Sequence, residues 1–146
     1  MANDDLTTIK TNLASLLTAM LASPASLSGL PSDAVPIHGT TAADITDTSV
    51  VAIIAAPAAG KALYISKLII NNKTIAEDPI ITVQDGAGTP VVIAKVMPST
   101  AGGNGGNAVF DFNPPVKLTT AKALNGKASA ATGDVMITAV GWSGSA

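Results

Sequence analysis

The chain of 146 residues has no cysteine, which excludes disulfide staples, thiolate nucleophiles and cysteine-bound metals together. It has no arginine either, and its eight lysines stand against ten acidic residues for a net charge of -2. No basic field exists to draw in a phosphate backbone, so nucleic acid is not an expected partner. Aromatic residues make up 3% of the chain: Tyr64, Phe110, Phe112 and Trp142. A carbohydrate platform or a base-stacking groove needs exposed flat rings, and there are few to build one from. A single histidine, His38, is the whole imidazole supply. Metal sites draw heavily on His and Cys, and a Ser-His-Asp triad would need that same residue, with no Gly-x-Ser-x-Gly elbow to present the nucleophile. No catalytic residue, metal ligand or cofactor is therefore assigned, and the expectation is a protein that is not an enzyme. The longest apolar run, Val50 to Ala56, falls far short of the roughly 18 residues that span a bilayer. The opening MANDDL is acidic where a secretory signal is basic. No membrane partner is expected.

What is present is a globular composition, 47% hydrophobic with only 12% charged residues. The carboxylates are sparse. Glu77 and Asp78 adjoin in a turn, Asp44 and Asp47 lie in a polar stretch, and both pairs read as solvated or turn-capping. Two glycine-rich stretches carry no nucleotide signature. Ala55 to Ala62 lacks the first Gly and the Ser/Thr of a phosphate-binding loop and leads into a strand. Ala101 to Asn107, AGGNGGN, has no helix behind it and reads as a turned loop.

In chain order, Leu6, Ile9, Leu13, Leu16 and Met20 recur with spacings of 3, 4, 3 and 4, and Leu17 and Leu21 widen the seam, which predicts an amphipathic helix over residues 3 to 22. Asn3 or Asp4 caps its start, and Ser23-Pro24 ends it. Two to three heptads are marginal alone in water, so this helix needs a partner: its own domain or a neighbouring molecule. Leu6, Ile9, Leu13, Leu16, Leu17 and Met20 are the candidate interaction residues. Residues 23 to 49 have linker composition, rich in Pro, Gly, Ser, Thr and Asp. Fully extended at roughly 3.3 Å per residue they would reach on the order of 90 Å. Within them, Val35 to His38 is expected to pair briefly as an edge strand. The expected organisation is thus a helix plus extended arm over 1–49 and a β domain over 50–146.

From Val50 onward the pattern changes to period two. Strands are predicted at Val50 to Ala56, Lys61 to Asn72, Ile80 to Gln84, Pro90 to Val96, Ala108 to Phe112, Val116 to Leu118, Leu124 to Ala130 and Asp134 to Trp142, separated by turns such as Pro57 to Gly60, Asp85-Gly86 and Asn113 to Pro115. Such a series of short strands implies a mainly β fold, an antiparallel β-sandwich or jelly-roll-like barrel preceded by the helix and arm. Alternation places Ile81 with Val83, Phe110 with Phe112, and Val135 with Ile137 facing inward. In the longest strand, Leu63 and Ile65 give way to Leu68 and Ile70, a phase slip that predicts a bulge near Ser66 or Lys67.

These strands also carry a resemblance. The run from Pro57 and Gly60 through Lys61, Leu63, Tyr64, Ile65 and Ser66 to Asn71, the Asp85-Gly86 turn, Phe110 and Phe112 ahead of Pro114 to Leu118, Ala123 to Ser129, and the closing Ile137 to Trp142 strand resemble the small β-sandwich head decoration (cement) proteins of tailed bacteriophages. The likeness covers about residues 57 to 142. It implies a homotrimer on the outer surface of a virion, clamping neighbouring major capsid proteins, with N-terminal arms gripping adjacent molecules. The alternative is a phage fibre or other β-sandwich module that recognises a cell-surface glycan.

Overall fold

A computed structural model describes residues 29–41, 44–73, 80–98, 106–130 and 134–146. The helix expected over residues 3 to 22 and its seam of Leu6, Ile9, Leu13, Leu16, Leu17 and Met20 lie outside them. The described residues form eight strands: β1 (Val35–Thr40), β2 (Val51–Ile54), β3 (Lys61–Asn72), β4 (Ile81–Asp85), β5 (Val92–Val96), β6 (Asn107–Lys117), β7 (Leu124–Ala128) and β8 (Val135–Ser145). First pairs with last and so on inward: β1 with β8, β2 with β7, β3 with β6 and β4 with β5, all antiparallel. The chain is in effect one long hairpin. Two further pairings, β3 with β8 and β4 with β7, roll that hairpin into two four-stranded sheets. The first has the order β1-β8-β3-β6 and the second β2-β7-β4-β5, the strand order of a jelly roll.

The core lies between the sheets. Ile81 and Val83 of β4 and Val135 and Ile137 of β8 are fully buried, as their alternation predicts, and meet Ile53, Leu63, Ile65, Leu68, Ile70 and Leu124. Phe110 and Phe112 also face inward, but from an edge strand, so they stay half-buried and stack on each other with ring centroids 6.3 Å apart. The predicted bulge is present: the register of β3 against both neighbours shifts between Ile65 and Lys67. The extra residue, Ser66, hands the inward positions from Leu63 and Ile65 to Leu68 and Ile70, and its hydroxyl donates to the Val140 carbonyl at 3.2 Å.

Three expectations are revised. The edge strand expected briefly at Val35 to His38 is present but longer, a six-residue strand Val35–Thr40 paired with β8 along its length, and so part of the sandwich. Ile45, in the same polar stretch, bridges to Val135 and is fully buried in the core. The β fold therefore starts well before residue 50; single apolar residues spaced among Thr, Asp and Gly supply enough burial when each meets the existing core. The predicted strands at Ala108 to Phe112 and Val116 to Leu118 are one strand, β6. An edge strand bonds on one side only, so Pro114 and Pro115 sit in the register jump between Asp111 and Val116 without losing needed donors.

At the β1 side the two sheets touch, because Gly39 has no side chain. A Cβ there would fall against the Ile53 carbonyl and the Ile54 side chain, well inside 3.0 Å.

Candidate interaction surfaces

The sandwich presents two outward faces, and the strand registers fix what each displays. On the first sheet, one cross-strand row reads His38, Val140, Lys67 and Asp111, and the next reads Thr40, Thr138, Ile69 and Val109. Met136, Asn71 and Asn107 continue the face. The single charge pair, Lys67 with Asp111 at 3.1 Å, cancels itself, and the Thr40 and Thr138 hydroxyls bond each other at 3.1 Å. What remains is neutral and partly apolar, with Val109 57% and Val140 40% exposed. His38 sits out on this face, opposite Val140.

At one end of that face the chain covers itself. Ala62, Leu63, Tyr64 and Ile65 are buried in succession, a pattern a strand shows only when both of its faces are covered. Leu63 and Ile65 face the core; Ala62 and Tyr64 lie under a second small cluster with Leu30, Ala34 and Trp142. Gly144 makes room for Pro31 and Ala34. The Asp33 carboxylate accepts from the Ser145 amide at 2.7 Å and the Ser145 hydroxyl at 2.8 Å, with Lys61 at 3.4 Å, and these bonds, the amide first, pull its pKa down to about 2. Tyr64 donates its hydroxyl to the Ser145 carbonyl at 2.7 Å, and the Lys117 ammonium lies 5.9 Å from its ring centroid. Residues 29 to 34 are thus fastened to the outward face of the first sheet.

The second sheet has a different outward face. β4 pairs with β7 on one side and β5 on the other, which lines up Lys127, Thr82 and Lys95 in one row and Asn125, Gln84 and Val92 in the next. With Thr48, Ile80 and Ser129 at its rim, this face holds a shallow hollow of about 450 Å³, and no carboxylate lines it among the described residues. Sequence reasoning missed this site, counting the lysines only toward a net charge that makes no basic field. Lys95 and Lys127 are 32 positions apart, and only the pairing of both strands with β4 brings them to the same row. The legible signal was parity: each lysine alternates with core residues, Ala94 and Val96 in one strand, Gly126 and Ala128 in the other.

Between the free edges of β5 and β6 lies a smaller cleft of about 160 Å³, lined by Val91, Val92, Ile93, Val116 and Leu118 and closed by Asp85. Asp85 is buried to within 1%. Burial pushes its pKa up, but the Thr119 hydroxyl and the amides of Val91 and Ala87 all donate to its carboxylate, and the net direction is down. It ties the β4–β5 turn to the segment after β6, a structural duty.

Among the described residues no three His, Cys, Asp or Glu side chains converge as metal ligands would, and no helix is long and apolar enough to cross a membrane. None of the four aromatic rings lies open on a face: Tyr64 is buried and the other three are half-buried.

No protein-family model matches the chain, and no curated protein matches it. Among solved structures, it is similar to a chain of the virus-like particle of the extra small virus of the giant freshwater prawn Macrobrachium rosenbergii, at 12% identity and a TM-score of 0.43, over 75% of this chain and 77% of that one. A chain of the cyanophage Pam1 capsid is similar at 15% identity and a TM-score of 0.42, over 75% and 84% of the two chains. The STIV major capsid protein is similar at 14% identity and a TM-score of 0.44, with 75% of this chain covering 41% of that one.

Proposed function

We propose that the chain is a structural protein of a virion, in which the sandwich is a rigid block and its outward surfaces make the contacts. The observation that carries this reading is the strand order, an eight-stranded, two-sheet jelly roll of the kind used for viral shells, lectins and cupins. A cupin site wants converging histidines and a lectin site wants an open ring or a cluster of sugar-directed polar groups; the faces described here offer instead a broad neutral surface beside an anchored N-terminal segment. Such a surface suits large, flat contacts between copies.

Within that reading, the sequence resemblance favours a decoration protein: a homotrimer on the outside of the capsid that clamps neighbouring major capsid subunits. Residues 1 to 28 supply the arm, with Leu6, Ile9, Leu13, Leu16, Leu17 and Met20 as its contact seam. Three linked attachments would hold the shell far more tightly than one. The test is sedimentation of the full chain followed by binding to capsid shells. A trimer that attaches to shells is expected, and Leu13→Asp or Leu16→Asp, which places an unpaired charge in a dry contact, should abolish both while leaving the melting temperature unchanged. A chain that stays monomeric and attaches to no shell refutes the proposal.

A further inference from the structure

Gln84 is the odd residue of the second sheet. Its side chain points outward, yet only 7% of the residue is exposed, and no hydrogen bond reaches its amide among the described residues. A buried amide without a partner is costly, and native structures seldom keep one that no water or ligand serves. This amide opens into the hollow of about 450 Å³. One row along the sheet, Lys127 and Lys95 flank Thr82. Lys61, Lys67 and Lys73 are each held by an aspartate, whereas neither Lys95 nor Lys127 has an ion pair among the described residues.

We propose that this hollow binds an extended acidic peptide segment of a neighbouring protein. Strands lie about 4.8 Å apart, so the two lysines stand about 10 Å from each other across Thr82, a gap in which one carboxylate can take a hydrogen bond from each flexible ammonium. An amide side chain has both a donor and an acceptor, so Gln84 can pair with a peptide group in both directions, which a bare anion could not exploit. The hydroxyls of Thr48 and Thr82 add donors at the rim and floor. A uronic acid would bring the same carboxylate, but no aromatic ring lines the hollow to hold its sugar face. The site is independent of the virion reading, since it rests on this face alone.

The experiment is a titration of the isotope-labelled full chain with a hexaglutamate peptide, followed by NMR at low salt through the Gln84 side-chain amide and the Thr82 backbone. Saturable shifts are expected at both, absent with hexalysine. Lys95→Gln and Lys127→Gln should each weaken binding roughly threefold and their combination about tenfold, in the range of exposed ion pairs. Lys122→Gln, in the loop after β6, should leave binding unchanged, and Gln84→Met should weaken it while the melting curve is retained. Shifts spread equally around Lys122, indifference to the Lys95 and Lys127 changes, or tighter binding of a uronate oligosaccharide than of hexaglutamate would each overturn the proposal.

Discussion

Two truncations test which N-terminal residues belong to the fold. Removing residues 1–28 takes away none of the residues seen in the sandwich. Removing residues 1–49 takes away β1, the cover formed by Leu30 and Ala34 over Tyr64, and Ile45, which is fully buried against the core. The cost of the second cut can be bounded from Ile45 alone. Replacing a fully buried Ile by Ala costs about 2–5 kcal/mol in lost transfer energy and residual cavity, against a total stability of roughly 5–15 kcal/mol for a domain. Losing the whole residue, six strand positions bonded to β8 and the inward contact of Ile37 exceeds that by a margin that exhausts the total. Thermal unfolding followed by circular dichroism is the assay, with Trp142 fluorescence as a local probe of the Leu30 and Tyr64 cluster. The shorter truncation should melt within about 4 °C of the full chain, the longer should show no cooperative transition, and Ile45→Ala in the full chain should lower the midpoint by roughly 8–20 °C. A cooperative melt from the 50–146 fragment would refute the placement of β1 and Ile45 in the core. Loss of folding in the 29–146 fragment would place the N-terminal seam inside the domain.

Gly39→Ala should destabilise by about 1–3 kcal/mol as an overpacked contact, because its methyl group would meet the Ile53 backbone, which cannot swing aside; a denaturant midpoint equal to that of the unaltered chain would contradict the close approach of β1 and β2. Acidification should release residues 29 to 34. The Asp33 pKa is lowered from 3.8 to about 2, so its contribution is fully present above about pH 4 and is lost as the pH falls toward 2. A Trp142 fluorescence titration should show a step in that window that Asp33→Asn removes, and a step unaffected by the substitution would assign it to another carboxylate.

Much of the sandwich could be read from local pattern. The alternation in Ile81–Val83 and Val135–Ile137 and the phase slip around Ser66 are properties of a few adjacent residues, and they recur in the structure unchanged. What escaped was non-local. β1 shows in the sequence only as a brief edge pairing over Val35 to His38, because Pro36, His38 and Gly39 have weak strand preference and its apolar content is Val35 and Ile37 alone; its full length and its place in the sandwich come from the free edge that β8 offers it. Likewise β6 looks interrupted by Pro114 and Pro115, and only its position at a sheet edge makes them harmless. The same limit applies to the surfaces. Nothing near Lys95 in the chain announces Lys127, and nothing near Gln84 shows that its neighbours across two strands will bury it without a partner.

The two outward faces point in opposite directions, since sheets of a sandwich stack about 10 Å apart with their side chains alternating in and out. A neighbour bound to one face therefore leaves the other free. The first face is charge-balanced and carries the root of the N-terminal segment, so contact there gains from apolar burial and is little affected by salt. The second concentrates unpaired cations around a buried amide, and contact there is directional and weakened by salt. On the readings proposed above, the two faces join unlike neighbours, copies of the chain on one side and an acidic segment on the other. Salt then distinguishes them: raising it from about 0.1 to 1 M shortens the screening length from roughly 10 to 3 Å, which should strip acidic peptide from the Lys95 and Lys127 hollow while leaving self-association through the neutral face and the arm in place.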